Sequence, residues 1–158
     1  MLRRQYIIIS ILILSLTGSC SKESAEPLVV VRALSSPEVE QELLGLVNAH
    51  RMSLGYTSLE FSPVAYEYAS AHTDYMIASG TLNHDNFSTR ASGISEEVNA
   101  ESVAENIARD YDTAQQAFNG WLESSGHRTT MEGDFTHTAV SVKKDASGNY
   151  YYTQLFFR

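Results

Sequence analysis

The sequence predicts an α+β fold, helices packed on a small antiparallel sheet, and three observations predict it. Two helical repeats of apolar residues, each opened by Ser-Pro and closed by glycine, fill the first part of the domain. A third helical pattern follows Asp112. From Thr138 the period changes to two, on both sides of a Ser-Gly-Asn turn. Helices first and a hairpin last is the order of an α+β domain.

The chain opens on a different kind of segment. Arg3 and Arg4 precede the apolar run YIIISILILSL, which is too short to span a bilayer and has the pattern of an export signal. Thr17-Gly18-Ser19 then lead into Cys20, the only cysteine. This resembles the lipobox of bacterial lipoproteins, although Thr17 stands where an aliphatic residue is usual. The resemblance implies a signal peptide over residues 1–19, lipidation of Cys20 and a membrane-anchored, periplasmic or cell-surface location. Residues 20–35 are polar apart from 28–31 and read as a tether, and residues 36–158 form one domain.

Within that domain, Ser36-Pro37-Glu38 is a helix start: a capping serine, a proline in the first turn and an acid at the positive end. Val39, Leu43, Leu46, Val47 and Leu54 follow at helical spacing up to Gly55. Ser62-Pro63 repeats the opening, with Val64, Ala65, Tyr68, Ala69, Tyr75 and Met76 running to Gly80. Asp112 with Gln115 makes a capping box for Ala117, Phe118, Trp121 and Leu122, and that helix dissolves at Ser124-Ser125-Gly126. Thr138, Val140 and Val142 alternate with their neighbours. The aromatic run from Tyr150 to Phe157 then returns as a second strand.

Charge and cysteine count exclude several roles. Without residues 1–19 the chain carries nine basic and nineteen acidic side chains, a net charge of −10. That argues against nucleic acid and against electrostatic docking on anionic lipid. A single cysteine forbids intrachain disulfides, so the core must hold the fold.

Five histidines are candidates for chemistry. His50 and His72 fall inside predicted helices and read as structural or surface residues. His84 and His127 each lie in a turn-rich segment after a helix. Between them, Glu105 sits in Ala104-Glu105-Asn106-Ile107-Ala108, a carboxylate among apolar neighbours that needs a partner.

These segments together resemble the CAP superfamily, the SCP-like extracellular domains that include cysteine-rich secretory and pathogenesis-related proteins. Val47-Asn48-Ala49-His50-Arg51 with Gly55 looks like the family's first helix, and Leu59 and Ala69 fit its L…A pattern. His84 with Phe87 and Arg90 resembles its histidine loop, and residues 104–108 its GEN(I/L)A motif. Gly126-His127-Arg128 resembles the later histidine motif of bacterial members. Ala104 replaces the usual glycine, and Thr129-Thr130-Met131 departs from the usual residues after Gly-His. The resemblance implies a three-layer α-β-α sandwich with a central cleft holding His84, Glu105 and His127. Glu123 is the nearest candidate for the family's second glutamate.

A carboxylate beside an imidazole fixes its tautomer and frees the other ring nitrogen for a proton or a metal. His84 and His127 could thus hold a divalent ion such as zinc. No serine elbow or His-Glu-x-x-His motif argues for a hydrolase, and Ser124 and Ser125 read as helix-end residues. The leading expectation is a non-enzymatic domain binding a small lipidic, glycan or peptide ligand or a protein partner. A metal-dependent hydrolase, with Glu105 as base or orienter, is the second. A purely structural His–Glu cluster is the third.

Overall fold

The computed structural model describes residues 33–158; the signal segment, Cys20 and most of the tether lie outside the described residues. In chain order the elements are β1 (Leu34–Ser35), α1 (Pro37–Ser53), β2 (Glu60–Phe61), α2 (Pro63–Ser79), α3 (Phe87–Val98), β3 (Val103–Arg109), α4 (Ala114–Glu123), α5 (Ser125–Met131), β4 (His137–Lys144) and β5 (Tyr150–Phe157). The sheet order is β1-β4-β5-β3, with β2 alongside β4 in parallel. Leu34 and Ser35, assigned above to the tether, pair with Lys144 and Lys143 of β4. Among the described residues no helix is long and apolar enough to cross a membrane.

Strand alternation sorts the core into two faces. Even-numbered Ala108, Val140, Val142, Tyr152 and Phe156 pack with Leu43 and Val47 of α1, Phe118 and Trp121 of α4 and Met131 of α5. Odd-numbered Ala139, Leu155 and Phe157 pack with Ala65 and Ala69 of α2 and Ile94 of α3. The result is an α-β-α sandwich. Burial of each large apolar side chain, Trp121 or Phe156 for example, contributes about 1.5–3 kcal/mol.

The two Ser-Pro helices and the hairpin stand where the sequence predicts them. Ser62 accepts from the amide of Ala65 at 3.3 Å, whereas Ser36 makes no side-chain cap and instead donates its own amide to Val142 O. The α4 capping box is displaced by one residue: Thr113 Oγ1 accepts from Gln116 N at 3.2 Å, and Gln116 Oε1 accepts from Asp112 N at 2.9 Å. Leu54 and Tyr75, read as parts of the apolar stripes, are exposed at 50% and 39%.

Three elements are additions to the predicted order. α3 buries only Arg90 and Ile94, too few to make a periodic stripe. β3 is buried on both faces over Glu105–Ala108 and so lacks alternation. The Ser-Ser-Gly end of α4 is the start of α5, which places His127 on a helix and not in a turn.

Candidate functional site

β3 is the edge strand of the sheet, and its consecutive side chains point to opposite layers. Glu105 enters the α2/α3 layer, and Asn106 the layer of α5. The candidate cleft is built around this edge.

The Glu105 side is a closed ionic clamp. Its side chain is 1% exposed. Arg90 reaches it from α3 with both prongs, Nε to Oε2 at 2.9 Å and Nη2 to Oε1 at 2.7 Å. His84 Nδ1 donates to Oε1 at 2.8 Å. A bidentate guanidinium and an imidazole N–H together satisfy a carboxylate that burial alone would otherwise neutralise.

The loop carrying His84 is held by the same groups. Gly80, at φ +66, ends α2 in the left-handed conformation that frees the chain to turn. His72 Nε2 on α2 then donates to Asn83 O at 2.9 Å, and Arg90 Nη1 to Asp85 O at 2.6 Å. His72 is therefore no surface residue: it is 3% exposed and 3.9 Å from Glu105 Oε1. Burial pushes its pKa down, with the Glu105 charge opposing that shift and the Arg90 charge adding to it.

The other side of the edge is different. Trp121 Nε1 of α4 donates to Ile107 O at 3.1 Å, on the free side of β3. His127 lies on α5 with its ring 6.4 Å from that of Trp121. Asn106 Nδ2 donates to His127 O at 3.0 Å, tying α5 to the strand. A cavity of about 270 Å³ opens here, lined among others by Leu82, Ile107, Tyr111, Trp121, Ser124 and His127. Gly120 shapes it, because a Cβ there would fall on the phenol of Tyr111. Burial lowers the His127 pKa, and the His84 imidazole lowers it further.

Glu123 is exposed at the end of α4 and has no hydrogen bond or ion pair to His84, Glu105 or His127. Ser124 lines the cavity as the residue between α4 and α5. His50 is bound to Glu132 at 2.9 Å and meets the edge of Phe118, a tie within the scaffold.

A metal would find His84 and His127 as donors, with His84 Nδ1 already engaged by Glu105. Among the described residues no group of three or more His, Cys, Asp or Glu side chains converges on one point. Two imidazoles fall short of the three protein ligands of a catalytic zinc site. The protein donor set by itself does not fit such a centre.

Arg90 and His72 are the members of the candidate site that sequence reasoning placed least well. Arg90 entered only as part of a loop motif, and nothing near it announces a buried guanidinium. For His72 the signal existed: with Ala65, Ala69, Thr73 and Met76 it lies on the buried stripe of α2.

A family model described as the cysteine-rich secretory protein family, CAP, matches residues 44–156. An uncharacterised membrane protein, YlbC, of Bacillus subtilis (strain 168) is 31% identical over 123 residues, which are 75% of this chain and 34% of that protein. An outer surface protein of Borrelia burgdorferi superposes with a TM-score of 0.72 at 17% identity, covering 80% of this chain and 97% of that one. An extracellular SCP-domain protein of Bacillus anthracis str. Ames gives a TM-score of 0.66 at 25% identity, over 77% of this chain and 41% of that one. The chain thus spans about a third of the length of the curated relative it matches.

Proposed function

The chain belongs to the cysteine-rich secretory protein family, and from that premise we propose an extracytoplasmic binding module that takes a small ligand at the His84–His127 cleft without turning it over. The observation that carries this reading is the saturation of Glu105. Its two oxygens accept three hydrogen bonds, two of them from Arg90. A carboxylate so engaged, with its side chain 1% exposed, orients His84 and is closed off from any substrate it would have to reach as a general base. The half-buried imidazole of His127 beside an aromatic-walled cavity suits recognition of a small lipidic, glycan or peptide group.

Export is supported by the family and by the relatives themselves, one extracellular, one of the outer surface and one a membrane protein. The sequence before the domain adds the lipid anchor at Cys20. A tethered binding domain at the cell surface or in the periplasm is the consistent picture.

Trp121 is the only tryptophan and lines the cavity, so its emission reports occupancy. The detergent-solubilised full chain would be titrated with a fatty alcohol, a short oligosaccharide and a short peptide. A saturable change with one probe, lost in His127→Ala, is expected. Hydrolysis of ester or peptide substrates that His127→Ala abolishes would overturn the reading in favour of an enzyme. So would the absence of any response to all the probes.

A further inference from the structure

The two faces of β3 differ in how completely their polar atoms are satisfied. Asn106 is 0% exposed. Its Nδ2 donates to His127 O, so Oδ1 is the atom turned away from that carbonyl, and Oδ1 has no partner among the described residues. Gln154 stands opposite Asn106 in the β3–β5 register and is also 0% exposed. Its Nε2 donates to Thr138 Oγ1 at 3.1 Å, while the Thr138 hydroxyl donates to Leu155 O at 2.7 Å. The threonine proton is therefore committed elsewhere, and the amide nitrogen of Gln154, not its oxygen, must face Thr138. Gln154 Oε1 is left buried without a partner among the described residues, as is His127 Nδ1. Ser141 Oγ, the remaining such atom, belongs to the odd-numbered face of the sheet.

Amide oxygens only accept, and an imidazole nitrogen is a donor or an acceptor according to tautomer. Of these three unpartnered atoms, Asn106 Oδ1, Gln154 Oε1 and His127 Nδ1, the imidazole nitrogen is the one that can carry a proton. We propose that this amide pair holds neutral His127 as the Nδ1–H tautomer, directly or through one buried water. Such a water would donate to the two oxygens and accept the Nδ1 proton. Asn106 and Gln154 are positioning residues, and Nε2 of His127 keeps its lone pair.

His84 is set the same way by different chemistry. Its Nδ1 faces the Glu105 carboxylate, an acceptor, so in the neutral ring Nδ1 carries the proton and Nε2 the lone pair. In the proposed cleft the two neutral rings therefore offer imidazole acceptors. The ligand class that matches is donor-rich: hydroxyl, ammonium or amide N–H groups, as in a polyol, a glycan or a peptide amine. A carboxylate or phosphate would meet lone pairs instead. This sharpens the proposed binding reading and rests on it for the ligand, though not for the tautomer.

The test is ring-nitrogen NMR of the ¹⁵N-histidine-labelled full chain, about two pH units above the ordinary imidazole pKa of about 6.5, where tautomer and not charge is read. His127→Gln assigns the signals. Wild type should show protonated Nδ1 and bare Nε2 at His127, and Gln154→Leu and Asn106→Ser should erode that dominance. A wild-type Nε2–H tautomer would overturn the proposal, whether or not the variants fold. Undiminished Nδ1–H in both folded variants would overturn the role of the amide pair. Should His127 carry Nδ1–H while no probe perturbs Trp121, the tautomer assignment stands and the binding reading falls.

Discussion

The two sides of β3 are one residue apart in sequence and opposite in design. On the Glu105 side each carboxylate oxygen has a donor, the carboxylate is sealed, and Arg90 and His72 pin β3 and the loop of Asn83 and Asp85. On the Asn106 side there are buried polar atoms without partners among the described residues, a half-buried imidazole and a cavity. The first side stabilises the cleft; the second leaves room for something else. The clamp commits Glu105 and Arg90 to each other and leaves His84 Nε2 outside the bonds it makes.

Mutations should separate the two sides, and the largest effect belongs to the clamp. Arg90→Met strands a buried carboxylate and should cost about 3–5 kcal/mol by chemical denaturation. The double variant Arg90→Met/Glu105→Gln should lose less than the sum of its single changes. Equal additive losses would mean the pair is not a unit. Next comes the cavity wall: Gly120→Leu overpacks Tyr111 and should cost about 1–3 kcal/mol while abolishing the Trp121 response to a probe. Smaller again is His127→Ala, expected to cost about 1 kcal/mol and to remove the probe response without changing the fold by circular dichroism. A loss as large as that of Arg90→Met would erase the distinction drawn here.

The pH dependence tests the same contrast more gently. His72 and His127 both have pKa values lowered by burial. Below the unfolded value of about 6.5 the unfolded chain binds protons that the folded chain refuses, so these groups make stability fall as pH drops through that value. Glu40, raised first by burial, acts in the opposite sense nearer the carboxylate range. Comparison of wild type with His127→Gln isolates one imidazole, and the variant should lose stability less steeply between pH of about 7 and 5.5. The smallest structural effect belongs to Cys20→Ala: it should abolish labelling by a palmitate analogue and leave both sides of β3 unchanged. Equal labelling of the variant would remove the anchor.

The sequence alone determined the elements whose information is local. Ser-Pro starts, glycine stops and alternating strands announce α1, α2, β4 and β5 because caps, turns and periodicity act over a few residues. It also marked His84, Glu105 and His127 through motifs in a fixed order, and the need of Glu105 for a partner follows from its apolar neighbours. Only the tertiary structure decided what that partner is. Arg90 and Glu105 are 15 residues apart, and no local rule joins a helix guanidinium to a strand carboxylate. β3 escaped notice because burial on both faces removes the alternation by which strands are read, and α3 because it buries a charge where a stripe would bury carbon. The division of the cleft into a sealed side and an open one is tertiary for the same reason. It comes from a strand at the sheet's edge whose successive side chains meet different layers, and which layer lies where is settled only once the whole chain has packed.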